Sequence, residues 1–169
     1  MSMQLDKVQP KNRIQLEQLI DYAFKHNIYN LNFIDTSKIT DMQELFGYVE
    51  HDFNVSKWDT SNVKNMSYMF YRCYKFTGKG IGNWDVSNVK DIGGMFAGCE
   101  KFDCDLSNWD MSNVTDMGYA FIDCEKFKGK GLENWNVTNV TNMRRMFDGC
   151  NKLTIPNWYK KLYIVKNKI

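Results

Sequence analysis

Apolar residues fall along this chain in short, regular clusters separated by Asp, Ser, Asn and Lys. Val63, Met66, Phe70 and Cys73 follow steps of three, four and three. That spacing predicts one inward stripe on a helix of two or three turns. Just before it, Trp58-Asp59-Thr60 alternates apolar and polar positions. The alternation predicts a short strand with Trp58 and Thr60 on one face and Asp59 on the other.

The same phrase recurs. WDTSNVKNMSYMF from Trp58 returns as WDVSNVKDIGGMF from Trp84, WDMSNVTDMGYAF from Trp109 and WNVTNVTNMRRMF from Trp135, every 25 or 26 residues. A weaker copy, IDTSKITDMQELF, starts at Ile34. Cys73, Cys99, Cys124 and Cys150 each lie three residues past the closing Phe, and Val55, Ile81, Leu106 and Leu132 each lie three before a Trp. A fixed period of this length marks a solenoid, in which units that cannot fold alone stack into one continuous core. The predicted fold is therefore α/β, a solenoid of about five strand-helix coils. Strands ~4.8 Å apart on one side and helices ~8–10 Å apart on the other predict that the stack curves.

The ends differ from the repeats. Leu16, Leu19, Ile20, Ala23 and Phe24 keep helical spacing between Arg13 and about His26, with Lys11-Asn12 as N-cap and Asn27 as a stop, which predicts a capping helix. Ile155-Pro156-Asn157-Trp158 keeps the apolar-x-x-Trp spacing but runs on into Tyr-Lys-Lys, and predicts a closing coil that breaks the edge. One domain is expected, with residues 1–30 as lead-in and cap, 31–154 as repeats and 155–169 as closing coil and tail. Residues 1 to about 10 are expected to be loose.

The 169 residues carry a net charge of +2, which gives no electrostatic reason to expect nucleic acid as a partner. No apolar run approaches the ~20 residues that span a bilayer, and the start has no apolar h-region. Membrane insertion is not expected, and the sequence as written points to the cytoplasm, or to the cell surface if an export signal was trimmed. Five cysteines without CxxC spacing suit a reducing compartment better than a disulfide framework or zinc site. Helix spacing would hold the four in-register thiols too far apart for disulfides. Cys104, out of register in a loop, is expected to react first with a thiol reagent.

The stacked carboxylates Asp35, Asp59, Asp85 and Asp110 raise calcium as a possibility. Asn136 occupies the same position, which keeps the acceptor and loses the charge, and favours Asx turns instead. Asp41, Asn65, Asp91, Asp116 and Asn142 read as helix N-caps. His26 and His51 stand outside the repeat, and GKG at Gly78 and Gly129 lacks a phosphate-binding frame. No enzyme, no cofactor and no metal site are expected. Specific binding must come from positions that vary between copies. Tyr68, Tyr71, Arg72, Gly93, Gly94, Tyr119, Arg144 and Arg145 form the candidate protein-binding patch, with Gly93-Gly94 as a flat gap between Tyr-bearing coils. Lys160, Lys161, Lys166 and Lys168 read as a solvated tail.

The phrase W-D-[VTM]-S-N-V-[KT]-[DN]-M-x-x-M-F-x-x-C-x-K-F resembles the repeat of the BspA-like bacterial surface-protein family, the DUF285 repeat, from about Asn32 to Trp158. The resemblance implies a right-handed, leucine-rich-repeat-like solenoid from a bacterium, or from a virus or protist that borrowed it, binding other macromolecules. Family members are often lipoproteins or wall-anchored adhesins. The expected function is a non-catalytic protein-interaction module, monomeric, with a surface adhesin as the alternative.

Overall fold

The structure is a computed structural model that describes residues 6–166. Residues 1–5, and Lys168 in the expected tail, lie outside the described residues. Helix α1 spans Arg13–Lys25. It starts at Asn12, whose side chain accepts from the Gln15 N–H at 3.0 Å, and it ends before Asn27 in the left-handed region. Both ends match the predicted cap and stop. Leu16, Ile20 and Ala23 are buried in the same core cluster as the repeat residues. Arg13 clamps the helix there, through Asp41 at 3.3 Å and the Gln43 carbonyl, while bonding Glu17 at 2.7 Å. The lead-in is not loose as far as residue 10. Val8 forms a parallel bridge with Ile34, donating to the Phe33 carbonyl and accepting from the Asp35 N–H.

The repeats correct the predicted fold class. Among the described residues there are two α-helices and two single-turn 3-10 helices, Ile81–Asn83 and Leu132–Asn134, but no strand or sheet. Parallel bridges are isolated, one per coil along Asp41, Asn65, Asp91, Asp116 and Asn142. The stretch read as a helix is a ribbon of turns. The N–H groups of Met69, Tyr71 and Cys73 close turns onto the carbonyls of Met66, Tyr68 and Phe70 at 3.0–3.2 Å. The alternate N–H groups of Met66, Tyr68, Phe70 and Arg72 cross to the carbonyls of Asp91, Gly93, Met95 and Ala97 in the next coil at 2.7–2.9 Å.

Backbone satisfaction explains why the turn ribbon wins. A two-turn helix leaves its first four N–H and last four carbonyl groups unpaired, which is nearly all it has. The ribbon pairs half locally and half with its neighbour. The apolar stripe was read correctly as buried, for Val63, Met66, Phe70 and Cys73 are all fully enclosed. Its period belongs to turns rather than to a helix. Thr60 likewise accepts a turn bond from the Val63 N–H, where a strand was predicted. The strand-helix coil of a leucine-rich repeat is therefore not present. The helix column on which the predicted unequal spacing rests is absent too, because the ribbon pairs with the next coil through backbone hydrogen bonds.

Columns of equivalent side chains bind the coils. Phe46, Phe70, Phe96, Phe121 and Phe147 stack with ring centroids 5.4–5.7 Å apart. Each Trp donates its indole N–H to a carbonyl in the preceding coil: Trp58 to Leu31, Trp84 to Val55, Trp109 to Ile81, Trp135 to Leu106, at 3.0–3.3 Å. Asn62, Asn88, Asn113 and Asn139 donate from their side chains to Ser37, Ser61, Ser87 and Ser112 carbonyls one coil back, at 2.6–2.8 Å. The buried indole donors thus find acceptors one coil back, while the asparagine ladder runs along the exposed side.

The glycines before each 3-10 turn let the loops close onto the neighbouring coil. Gly131 has φ +93°, and a Cβ there would stand 2.2 Å from the Ser107 nitrogen. Only glycine tolerates both the conformation and that approach. At the far end the closing segment is a helix, α2, Asn157–Lys166. Trp158 continues the tryptophan column by donating to Leu132, and Tyr159 sits edge-on to Phe147 at 5.0 Å. A helix whose rings cover the last Phe closes the stack.

Candidate binding face

Two columns in each turn ribbon lie in the left-handed region in all five coils. They are Glu44, Tyr68, Gly94, Tyr119 and Arg145, and Tyr48, Arg72, Gly98, Asp123 and Gly149, with φ from +51° to +77°. Every second crossing N–H of the ribbon belongs to one of them, so the conformation is built into the coil. Their side chains stand outward over one face.

The structure brings most of the predicted patch together. Tyr68 and Tyr71 meet edge to face at 5.7 Å, and Tyr71 meets Tyr48 the same way at 5.3 Å. The Arg72 guanidinium lies 5.4 Å from the Tyr71 ring centre and 5.9 Å from that of Tyr48. Tyr48 was missed because its coil is the weak copy, although Glu44-Leu45-Phe46-Gly47-Tyr48 holds the right register. At 60% exposed it is more open than Tyr68, at 38%.

Gly93 and Gly94 are buried and leave no flat gap. The Tyr68 ring leans over Gly94, where a Cβ would come within 2.4 Å of it. The depression opens instead one turn later, over Ala97 and Gly98, between walls of Tyr68, Tyr71 and Arg72 on one side and Tyr119, Ile122 and Asp123 on the other. A second depression lies over Gly47, walled by Glu44, Tyr48, Tyr68 and Tyr71. Arg144 packs over Tyr119 at 5.9 Å, and Arg145 pairs with Asp148 at 2.7 Å. These two arginines edge the face without entering either depression.

The other candidates resolve into supports. Asp35, Asp59, Asp85, Asp110 and Asn136 each accept the N–H two residues on at 2.9–3.2 Å, as Asx turns. Hydrogen bonds from Ser37 and Ser112 hold the Asp35 and Asp110 carboxyls below the ordinary range. Lys130 and then Ser107 bring loop residue Asp105 down to about 2. The Asp41 column accepts in the same way, from Gln43, Ser67, Gly93, Gly118 and Arg144, so these residues cap turns rather than helices. Burial, and to a lesser degree Asp116 beside it, pushes Asp91 up, although the Gly93 N–H opposes this.

The cysteine column sits at coil spacing, so the distance argument against disulfides does not hold. All five cysteines are nonetheless free thiols. Each in-register Sγ donates to the Phe carbonyl one coil back at 2.9–3.1 Å. Burial raises Cys73 to about 12 and Cys99 and Cys124 well above the usual thiol. His26 bonds the Tyr22 carbonyl, and His51 lies under the cap against Phe24 at 4.5 Å and Tyr29 at 4.3 Å. No group of three or more His, Cys, Asp or Glu positioned for a metal ion occurs among the described residues. No described helix is long and apolar enough to cross a membrane.

A stack of turn-built coils with a repeated core and one varied, aromatic face defines a repeat protein. The chain belongs to the family described as Mycoplasma protein of unknown function, DUF285, which it matches over residues 14–130 and again over 72–162. No curated protein and no solved structure matches it.

Proposed function

We propose that this protein is a non-catalytic protein-interaction module that binds through the Tyr48, Tyr68, Tyr71, Arg72 and Tyr119 face. The finer likeness to BspA-like surface repeats agrees with such a role. One observation carries the reading. Gly94, Gly98 and Gly149 fit the left-handed columns without strain, yet seven of the ten positions hold larger residues at positive φ. A non-glycine residue there costs on the order of 1 kcal/mol. Side chains kept at that cost, and rich in the Tyr and Arg that anchor interfaces, are kept for what they contact.

Arg72→Gly separates the two roles. It relieves backbone strain, so the urea midpoint stays level or rises, while the cation–π lid over Tyr48 and Tyr71 is lost. The test uses full-length chain with a photo-crosslinking amino acid at Tyr71 in a lysate of the source cells. Discrete adducts are expected, suppressed by excess unlabelled wild type and not by unlabelled Arg72→Gly. Equal suppression by the variant, or no adducts, sinks the reading.

A further inference from the structure

We infer that His51 makes the seating of helix α1 on the stack sensitive to acid: the cap holds while the imidazole is neutral and loosens when the ring takes a proton. The inference is independent of the binding role proposed above.

Position in the repeat already sets His51 apart. It lies five residues past Phe46, and the same step from Phe70, Phe96, Phe121 and Phe147 reaches Lys75, Lys101, Lys126 and Lys152. His51 therefore has a place in the repeat after all, hidden by the weakness of the first copy. The four lysines are exposed, whereas His51 is partly buried. A lysine keeps its charge at ordinary pH and is costly to roof over, while an imidazole sheds its charge near neutrality. The histidine stands in the coil that α1 covers.

The sensitivity comes down to one atom. Rings from three segments meet the imidazole: Phe24 of α1 edge-on at 4.5 Å, Tyr29 from the segment after α1 at 4.3 Å, and Phe53 at 6.4 Å. Phe24 also meets Phe46 at 6.2 Å and Phe53 at 5.7 Å, so the ring that covers His51 is one that ties α1 to the first repeat. Among these rings the His51 Nε2 is shut off from solvent and has no hydrogen-bond partner. A neutral imidazole can leave that nitrogen unprotonated. A proton makes both ring nitrogens donors, and puts a charged N–H where no acceptor stands. Lifting α1 takes Phe24 away and opens the atom to water.

The charged neighbours do not offset this. Burial, and then Lys75 in the next coil, hold the imidazole below the ordinary histidine value, against a smaller pull from Asp52. Asp52 is turned to the next coil, where it accepts from the Thr77 N–H at 3.2 Å and the Thr77 hydroxyl at 3.1 Å. From α1 and the segment after it come the rings of Phe24 and Tyr29, and no carboxylate of theirs acts on the imidazole among the described residues. A base whose value is lowered in the seated state supports that state fully above its free value of ~6.5, and withdraws the support as pH falls through the lowered one. The cap is firm at neutral pH and weakens in mild acid.

Amide hydrogen exchange in the full chain, followed by nuclear magnetic resonance from pH 7.5 to pH 5, reads the seating of α1. Each rate is divided by the intrinsic rate of a free amide at that pH. The Ile20 and Ala23 amides report the cap, and the Phe96 amide reports the stack. The cap's opening constant is expected to rise about threefold to tenfold across this range, with a smaller change at Phe96. His51→Gln and His51→Phe cannot titrate, and each is expected to hold the cap's opening level with pH, circular dichroism establishing that it folds. The His51 ring itself, followed by its own resonances in the wild type, titrates below ~6.5. Cap opening that does not change with pH, an equal rise at Phe96, the same rise in a folded variant, or a His51 midpoint at or above ~6.5 overturns the inference.

Discussion

Phe96→Ala lowers the stability of the whole chain by about 3–5 kcal/mol, the range for emptying a phenylalanine site in a packed core. Phe96 is fully buried, stacked on Phe70 at 5.5 Å and Phe121 at 5.4 Å, and also meets Phe102 at 4.1 Å. Its loss cannot be confined to one coil, because each coil pairs its alternate N–H groups with the next. A single shifted urea transition is therefore expected rather than a partial one. Phe147→Ala costs less, since that ring is 6% exposed and has a Phe neighbour on one side only, with α2 on the other. A Phe96→Ala loss under ~1 kcal/mol, or one matched by Phe147→Ala, contradicts the stacked column.

Alkali destabilises the fold through the cysteine column. Cys73 stays protonated in the folded chain up to about 12 because burial opposes the thiolate, with the Val49 backbone bond acting weakly the other way. An acid whose folded value is raised contributes stability fully below its unfolded value and loses it as pH climbs toward the folded one. The window therefore runs from about pH 9 to about 12. Over it Cys73 alone is worth on the order of 4 kcal/mol, at ~1.36 kcal/mol per unit. Urea midpoints at pH 7.5, 9, 10 and 11 for wild type and Cys73→Ala check this. The wild-type advantage shrinks by up to ~1.4 kcal/mol per pH unit above 9. Curves that stay parallel remove the thiol from the account.

Much of this architecture was legible in the chain, though not its local geometry. The period, the core columns and α1 with its Asn12 cap could be read because burial and capping depend on spacing and residue type alone. The Asx turns could be read because Asn136 showed which property of the position is kept. Strand and helix were assigned wrongly, since a turn repeating every three or four residues buries the same positions as a helix. Only long-range backbone pairing tells them apart, and sequence periodicity carries no record of it. Gly94, Gly98 and Gly149 in the αL columns held a trace of the correct answer. A Gly recurring at positions elsewhere filled by Tyr, Arg and Asp signals positive φ, which a helix excludes.

The same blindness moved the candidate site. A glycine pair without side chains predicts a gap at Gly93-Gly94, whereas the Tyr68 ring fills it from the coil before. The open slot lies at Ala97 and Gly98. Tyr48 went unnoticed because its coil shares too few residues with the others, although its register was in plain view.

The claim on which the fold and the binding face both rest is that alternate N–H groups of the turn ribbon bond across coils. Scalar couplings transmitted through hydrogen bonds measure this directly in the isotope-labelled chain. The account predicts couplings from the Tyr68 nitrogen to the Gly93 carbonyl carbon, from Phe70 to Met95 and from Arg72 to Ala97. Couplings from Tyr68 to Lys64 and from Phe70 to Met66, the pattern of an α-helix, would contradict it.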